Sequence, residues 1–246
     1  ELGQALETMR RKLEGKAYVE QYVQSLTHEM KSPLAAIRGA AELLQEPLPE
    51  ADRVHFARSI VDQQERLTET IDKLLALAEV EQHGWLQTRD RIALPALLAD
   101  AAAAAQVRAQ AAAVQVRIGS VPDLQVQGDG YLLRQALHNL IDNAIAFSPA
   151  GAEIALQAEV DGQGVRLQVA DRGAGIPDYA RERVFERFYS LARPGRGRRS
   201  SGLGLPFVRE VARLHDGRAS VDARDGGGTV ASLWLPLGTP GQRPRR

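Results

Sequence analysis

The first third of the chain has the hydrophobic pattern of two long helices. Apolar residues recur between Val19 and Leu44 at alternating steps of three and four, which is the spacing of one helix face. The pattern stops at Glu46–Pro49, which contains two prolines, and resumes from Ala57 to Ala78. This arrangement predicts a helical hairpin with a short turn. A single hairpin cannot cover its own apolar stripe but two can, so we expect a homodimeric four-helix bundle.

From Arg91 onward the pattern changes to a mixture of helices and strands. A strongly amphipathic segment predicts the helix Tyr131–Phe147, with Asp129 placed to cap its first turn. Period-two alternation predicts strands at Ile154–Val160 and Val165–Val169, joined by a glycine-containing hairpin turn. The second part is therefore predicted to be an α/β domain. Its other expected elements are helices at Pro95–Ala113 and Gly202–His215 and strands at Val114–Ile118, Leu124–Val126, Arg218–Ala223 and Thr229–Leu235.

These changes in pattern divide the chain into five segments. Residues 1–18 have apolar positions in helical phase and predict a helix that enters the hairpin from upstream, and residues 19–83 form the hairpin. Residues 84–91 are the expected hinge and residues 92–237 the α/β domain. Residues 238–246, rich in Pro, Gly and Arg, are expected to be a flexible tail. Because the first residue is Glu1, we expect the chain to be part of a longer protein.

Composition removes several classes of function. The 31 Lys and Arg residues balance the 31 Asp and Glu residues, whereas a general nucleic-acid binder carries a basic excess, so no direct nucleic-acid partner is expected. The absence of cysteine excludes disulfides, thiolate zinc sites, iron–sulfur clusters and a cysteine nucleophile. No stretch reaches the ~18 consecutive apolar residues of a membrane span, and none has the pattern of a signal peptide.

The hairpin contains one group of residues suited to nucleophilic chemistry. In helical geometry His28 lies away from the apolar seam, and Glu29 stands beside it. A solvent-facing imidazole with a carboxylate neighbour is a candidate nucleophile, because the carboxylate can accept the proton. Ser32, one turn further on, is close enough to position a water molecule near His28. On spacing alone, an ordinary exposed histidine beside an exposed glutamate is the simpler interpretation.

Two glycine clusters in the α/β domain are suited to binding a ligand. Asp171 follows a predicted strand, and Gly173 and Gly175 let the backbone approach a ligand while the carboxylate accepts a hydrogen bond, for which an adenine amino group is suited. Gly202–Leu205 opens a predicted helix after the arginine-rich stretch Arg193–Arg199, so the helix N-terminus and the arginines favour phosphate. A capped turn and a mobile surface loop are the respective alternatives.

Asn139 and Asn143 lie four residues apart and so share one face of a predicted helix. Their amide oxygens suit a Mg²⁺ ion that also keeps phosphate and water oxygens as ligands. A chance pair on a helix surface is the alternative. The Walker A and GxGxxG motifs are absent, so the chain has neither a P-loop nor a Rossmann site.

Taken in chain order, six short motifs resemble those of the sensor histidine kinase family, and together they cover about residues 20–237. Two further runs, Leu34–Glu42 and Ser200–Leu205, are similar to one particular member of that family. The six motifs are the phosphoacceptor box at His28–Pro33, the N box at His138–Ala144, the first glycine box at Asp171–Gly175, the F box at Val184–Tyr189, the second glycine box at Gly202–Leu205 and the last at Gly226–Thr229.

The resemblance implies a dimerisation and phosphotransfer hairpin followed by a two-layer α/β sandwich of the GHKL (Bergerat) type, which binds ATP. It implies that His28 attacks the γ-phosphate, that Glu29 is the general base, and that Ser32 orients water for dephosphorylating a partner. That partner would be the receiver domain of a response regulator, phosphorylated on aspartate. Asn139 and Asn143 would hold Mg²⁺. The implied nucleotide contacts also include Asp171, Gly173, Gly175, Phe188, Arg198, Arg199, Gly202, Leu203, Gly204, Leu205, Gly228 and Thr229.

The same resemblance implies that the chain is the cytoplasmic portion of a protein anchored in the bacterial inner membrane, with residues 1–18 as a signalling helix. Two positions depart from the family pattern, because Ala146 and Ser190 stand where basic residues often meet phosphate. Two alternatives therefore stay open, a protein that mainly dephosphorylates its regulator and a nucleotide-switched scaffold without catalysis. The residues expected to replace the missing cations are Arg193, Arg196, Arg198 or Arg199.

Overall fold

The chain divides into two compact units, Glu1–Leu74 and Leu75–Arg246. His28, the arginine-rich stretch Arg193–Arg199, the predicted upstream helix and the predicted tail lie outside the residues that the structure describes. The structure, a computed structural model, describes residues 24, 26, 27, 29–83, 85, 86, 88–191 and 201–237.

The described residues of the first unit contain two helices. The described residues of α1 are 24, 26, 27 and 29–43. Glu50–His83 forms α2, whose last turns belong to the second unit. Glu50 and Asp52 place negative charge in the first turn of α2, where it interacts favourably with the helix dipole. Pro47 and Pro49 lie between the helices and remove backbone donors that a continuous helix would need. The predicted helical hairpin is confirmed.

The hairpin buries little apolar surface within one chain. Of the described residues between 24 and 74, only Pro33 and Ala40 are buried. Leu34, which belongs to the predicted apolar seam, is 50% exposed, and Val61 is 52% exposed. Two helices side by side cannot enclose both sides of their apolar stripes, so this surface is left open to a further partner.

The second unit is organised around a five-stranded mixed sheet. Its strand order is β2-β4-β5-β7-β6, and among these strands β2 and β4 pair in parallel while the other neighbours are antiparallel. A separate antiparallel pair, β1 with β3, places Ile92 opposite Val126. The strands are β1 (Asp90–Ala93), β2 (Gln115–Ile118), β3 (Gln125–Gly128), β4 (Glu153–Asp161), β5 (Gly164–Ala170), β6 (Arg218–Ala223) and β7 (Thr229–Pro236).

Three helices pack on this sheet and form the second layer. They are α3 (Leu94–Ala111), α4 (Gly130–Phe147) and α5 (Gly204–Leu214), and each contacts at least one strand of the sheet. Alternate strand residues such as Leu156 and Leu167 are fully buried, whereas Gln157 and Gln168 lie on the other face and form a 2.7 Å hydrogen bond. This confirms the predicted two-layer α/β sandwich. The predicted cap of α4 is also present, since Asp129 accepts two backbone N–H groups from the first turn.

Three short elements have no counterpart in the sequence-based prediction. These are β1 and two 3₁₀ helices, Asp178–Ala180 and Arg183–Phe185, which are too short to show a hydrophobic period. The helix predicted from Gly202 begins instead at Gly204, because Gly202 has a φ of +64°, which a right-handed helix cannot contain. None of the described helices combines the length and apolar character that crossing a bilayer requires.

Candidate nucleotide-binding site

A buried carboxylate, Asp171, lies directly after the central strand β5. Its Oδ1 atom accepts the backbone N–H of Gly173 at 2.7 Å and that of Thr229 at 3.1 Å. The Asp171 N–H in turn donates to the carbonyl of Thr229 at 2.9 Å, so the ends of β5 and β7 hold the side chain from two sides. Both backbone donors use Oδ1, so Oδ2 can accept a hydrogen bond from an N–H donor on a ligand.

Opposing effects set the protonation of this carboxyl. Burial raises the pKa of Asp171, because only 7% of the residue is exposed and a buried charge loses its hydration. The backbone N–H groups of Gly173 and Thr229 act in the other direction and lower the pKa. The positive charge of Arg224 and a side-chain hydrogen bond from Thr229 also lower it. A carboxyl balanced in this way is sensitive to its neighbours, which is typical of functional sites.

Close backbone packing around Asp171 depends on two glycines. A Cβ atom on Gly173 would lie 2.6 Å from the carbonyl oxygen of Phe147, the last residue of α4. A Cβ atom on Gly228 would lie 2.2 Å from the carbonyl oxygen of Asp171, and Gly228 has a φ of +107°. Side chains at these positions would push the segment after β5 away from α4 and β7. The glycines therefore bring three elements together around one carboxylate.

The two asparagines of α4 differ in burial. Asn139 is 7% exposed, and its amide nitrogen donates to the carbonyl of Gln135 at 3.1 Å. A Cβ atom on Gly204 would lie 3.1 Å from Asn139 Oδ1, so this oxygen faces the first residue of α5. Asn143, one turn further along α4, is half-buried. The contacts thus connect the predicted N box with the predicted second glycine box.

These asparagines fit a magnesium ion only as partial ligands. Among the described residues, no group of three or more His, Asp or Glu side chains is arranged to hold a metal. The amide nitrogen of Asn139 donates to the helix backbone, which leaves its amide oxygen as a ligand atom. Two amide oxygens complete an octahedral shell only together with phosphate and water oxygens, which is how Mg²⁺ binds beside nucleotides.

The start of α5 is tied to the preceding segment by a strained contact. Phe188 has a φ of +61°, and its N–H donates to the carbonyl of Gly202 at 2.9 Å. A Cβ atom on Gly202 would lie 2.6 Å from the Phe188 backbone. Leu203 is buried and Leu205 half-buried, so the N-terminus of α5 is held in place by packing on either side of Gly204. Its free backbone N–H groups favour an anionic ligand such as phosphate.

Two arginines in this unit were missed by the sequence reasoning. Arg224 lies in the turn between β6 and β7, and its guanidinium donates to the carbonyl of Asp171 at 2.9 Å. Arg187, in the predicted F box, forms an ion pair with Glu81 in the last turns of α2. Both contacts join residues more than 50 positions apart, at separations of 53 and 106. No short-range pattern reports such pairs.

The structure describes some, but not all, of the remaining predicted site residues. Glu29 is half-buried and Ser32 is exposed, both on α1, while the structure does not describe His28. Arg198 and Arg199 also lie outside the described residues, whereas Gly175 lies in the described loop after β5 and has a φ of +78°. The roles expected for these residues remain predictions.

The fold defines a class of protein, a helical hairpin joined to a GHKL-type α/β sandwich. Residues 18–83 match the family described as "His Kinase A (phospho-acceptor) domain". Residues 128–239 match the family described as "Histidine kinase-, DNA gyrase B-, and HSP90-like ATPase". The chain belongs to the sensor histidine kinase family.

The similarity extends to individual proteins. Sensor protein CreC of Escherichia coli K12 is 48% identical over 240 residues, which are 95% of this chain and 49% of CreC. Sensor-like histidine kinase SenX3 of Mycobacterium tuberculosis H37Rv is 34% identical over 218 residues, 87% of this chain and 53% of SenX3. The similarity to CreC, predicted from two short runs, is confirmed. The chain spans about half the length of these curated relatives.

Among solved structures, full-length ShkA in complex with AMPPNP is 25% identical, with a TM-score of 0.64. The match covers 90% of this chain and 47% of the ShkA chain. The fold is therefore shared over nearly the whole sequence.

Proposed function

We propose that this protein is an ATP-dependent protein-histidine kinase of a two-component system. In this proposal His28 is phosphorylated from ATP and the phosphoryl group passes to an aspartate in the receiver domain of a response regulator. The observation that carries the proposal is the buried Asp171 carboxylate, held by Gly173 and Thr229 with Oδ2 left for a ligand. It lies in a domain of ATPase type that follows a phospho-acceptor hairpin.

The second unit binds ATP at two places, one for the adenine base and one for the phosphates. Asp171 Oδ2 accepts a hydrogen bond from the exocyclic amino group of adenine, with Gly173, Gly175, Gly228 and Thr229 shaping the pocket around the base. That ShkA was solved with AMPPNP, an ATP analogue, supports a nucleotide at this position. The residues proposed at the phosphate end are Phe188, Arg198, Arg199, Gly202, Leu203, Gly204 and Leu205, with the N-terminus of α5 and the arginine charges favouring phosphate.

Asn139 and Asn143 are the proposed ligands of Mg²⁺, which when bound reduces the charge repulsion between phosphates and an incoming nucleophile. Ala146 and Ser190 leave two basic contacts of the family pattern unfilled. Ser190 Oγ instead donates to the carbonyl of Leu191 at 3.3 Å. The arginines before α5 are therefore proposed to supply the cations at the phosphates.

The chemical step takes place on the hairpin. A nitrogen of the His28 imidazole attacks the γ-phosphorus of ATP, so a nitrogen–phosphorus bond forms while the bond between the γ-phosphorus and the bridging oxygen breaks and ADP leaves. Glu29 accepts the proton that the other ring nitrogen loses. Transfer to the regulator then breaks the nitrogen–phosphorus bond and forms an acyl phosphate on aspartate.

The apolar surface of the hairpin supports a homodimer. Leu34, Val54 and Val61 are each at least 50% exposed in the single chain, which two hairpins packed together would bury. We further propose that the whole protein is anchored in the bacterial inner membrane by segments upstream of this chain, which spans about half of each related sensor protein. Residues 1–18 would then transmit the signal into the hairpin.

A second candidate function is dephosphorylation of the same regulator. Ser32 follows His28 by four positions in the sequence and is exposed on α1, which makes its hydroxyl a candidate to orient a water molecule. If the arginines before α5 do not replace the two missing cations, autophosphorylation is weak, and a weak kinase shifts the balance toward this second reaction.

Incubation of the chain with γ-labelled ATP and Mg²⁺ tests the proposal. We expect a label that acid removes and base does not, and we expect His28→Gln to abolish it. His55→Gln is the matched control, because His55 is an exposed histidine on α2 whose loss should leave labelling unchanged. Equal labelling of His28→Gln and wild type would contradict the kinase.

Two further outcomes separate the alternatives. If Ser32→Ala slows dephosphorylation of the regulator more than it slows labelling of His28, the phosphatase function is supported. Tight ATP binding without any phosphoryl transfer would instead identify a nucleotide-switched scaffold.

A further inference from the structure

We propose that Arg224 is a positioning residue for the adenine-binding carboxylate, holding the Asp171 backbone so that Oδ2 is presented to the ligand. This inference rests on the proposed ATP-binding function, and it concerns a residue outside all six motifs of the sequence. Arg224 does not touch the nucleotide in this proposal. It acts through Asp171.

The side chain of Arg224 crosses a strand to reach Asp171. Its backbone N–H donates to the carbonyl of Gly228 at 3.1 Å, which fixes its main chain in the β6–β7 turn. Strand β7 lies between β6 and β5, yet the guanidinium of Arg224 reaches the end of β5. There Nη1 donates to the carbonyl of Asp171 at 2.9 Å and lies 3.4 Å from that of Ala170. The guanidinium is thus a clamp on the last peptide groups of the central strand.

The chain makes room for this clamp at Gly228. The same Asp171 carbonyl that Arg224 binds would lie 2.2 Å from a Cβ atom at position 228. A side chain there would occupy the space between the turn and the end of β5. Gly228 therefore allows the Asp171 peptide to pack close against the turn, and Arg224 holds that peptide in place with a charge-assisted hydrogen bond.

The two carboxyl oxygens of Asp171 differ in their hydrogen bonds, and this difference determines which of them would carry a proton. Oδ1 already accepts two backbone N–H groups, so a proton added to the carboxyl would be placed on Oδ2. A protonated Oδ2 presents a hydrogen toward the amino group of adenine and cannot accept from it. Adenine binding therefore requires the ionised carboxylate.

The charge of Arg224 favours that ionised form. Burial raises the pKa of Asp171, and the positive charge of Arg224 opposes the rise. The other charged groups at this turn are Arg172, whose Nη1 donates to the carbonyl of Asp225 at 3.2 Å, and Asp225 itself. Removal of Arg224 leaves the effect of burial less opposed, so the pKa of Asp171 moves further up.

The test measures binding of two nucleotides to the full 246-residue chain by calorimetry. ATP carries the exocyclic amino group, and purine riboside triphosphate lacks it. For Arg224→Met we expect ATP affinity to fall roughly tenfold, the scale of one hydrogen bond to a charged group, with a larger loss as the pH is lowered. Affinity for the analogue should fall less than about twofold, because that ligand does not use Oδ2.

Two variants control for folding. Arg224→Lys keeps the charge and should recover most of the ATP affinity. Arg218→Met removes the arginine at the start of β6, the strand that precedes the turn with Arg224. Its guanidinium lies over the Trp234 ring at 4.5 Å, and its loss should leave both affinities unchanged. Thermal unfolding of each variant shows whether the turn is intact.

The outcomes are distinct. Equal weakening of both nucleotides by Arg224→Met would assign Arg224 a purely structural role and overturn the proposal, as would unchanged ATP affinity. If wild type and Arg224→Met bind ATP and transfer phosphate equally well, the positioning role of Arg224 is wrong and the proposed function stands. If the wild-type chain does not distinguish ATP from the analogue, adenine recognition by Asp171 fails as well.

Discussion

The two units of this protein differ in how they obtain their stability. In the hairpin, only Pro33 and Ala40 are buried among the described residues between 24 and 74. In the α/β unit, Leu137, Leu156 and Leu167 are representative of a core with no exposed surface at all. The first unit presents its apolar residues outward, and the second encloses them between a sheet and three helices.

This difference indicates that the two units have different structural requirements. The α/β unit is complete within one chain, so its pocket can be preorganised by internal contacts such as those of Asp171. The hairpin is incomplete within one chain, so its stability depends on a second surface. Under the proposed function, His28 belongs to the unit that a partner completes, so changes in that partner would affect its phosphorylation.

The largest expected effect concerns the turn before β7. Gly228→Ala places a Cβ atom 2.2 Å from the Asp171 carbonyl oxygen at a φ of +107°, so we expect a loss of more than about 3 kcal/mol in the unfolding free energy of the α/β unit and no measurable ATP binding. Gly227→Ala is the matched control, because Gly227 has a φ of +97° but nothing within 4 Å of the added atom.

Gly227→Ala should therefore cost only the backbone strain, about 1–2 kcal/mol, and should still bind ATP. Chemical denaturation and nucleotide titration of both variants provide the measurement. Similar losses in the two variants would mean that the close approach to Asp171 is not what position 228 requires.

An effect of intermediate size is expected when one apolar side chain of each unit is truncated. Leu137→Ala removes a fully buried side chain of α4, and we expect the α/β unit to lose about 2–5 kcal/mol at any protein concentration. Val61→Ala, on the half-exposed face of α2, should leave the α/β unit unchanged and instead make unfolding of the hairpin more dependent on protein concentration. Denaturation curves at several concentrations, together with sedimentation, distinguish these results. If unfolding of the hairpin varies with protein concentration in the same way in Val61→Ala and in wild type, the result would argue against the dimer.

The smallest expected effect concerns His215, which ends α5 and is 4% exposed. Its Nε2 accepts the N–H of Asp129 at 3.0 Å, and its Nδ1 lies 2.8 Å from the carbonyl of Val211, so the neutral ring satisfies both partners. Burial lowers the pKa of His215, the nearby charge of Arg89 lowers it as well, and the hydrogen bond to Val211 and the charges of Asp129 and Asp216 raise it.

The sign of the pH effect follows from that direction. The unfolded chain takes up a proton on this histidine as the pH falls through about 6.5, while the folded chain does not until a lower pH. The contribution of His215 is therefore present above this range and is lost as the pH falls through the lowered pKa. Thermal unfolding between about pH 8 and pH 5 should show a shallower loss for His215→Gln than for wild type. His55→Gln, an exposed control, should keep the wild-type slope, and an unchanged slope in His215→Gln would refute the assignment.

Local patterns predicted most of the secondary structure. The alternation of Ile154–Val160 and the cap at Asp129 depend on neighbours in sequence, and both are found in the structure. The strand Asp90–Ala93 was not predicted, because its four residues are extended through pairing with β3, more than 30 positions away. The same limit explains why Arg224 was missed, since its partner Asp171 is 53 positions distant.

The sequence by itself determined the two-part organisation, the order of the motifs and the residue types suited to a nucleotide. These depend on hydrophobic periods of a few residues and on chemistry that each side chain carries wherever it lies. Only the tertiary structure decided that Asp171 is buried, that its Oδ1 is occupied by Gly173 and Thr229, and that Arg224 supports it from across a strand. Burial and long-range hydrogen bonds arise when distant segments pack together, and no local pattern contains them.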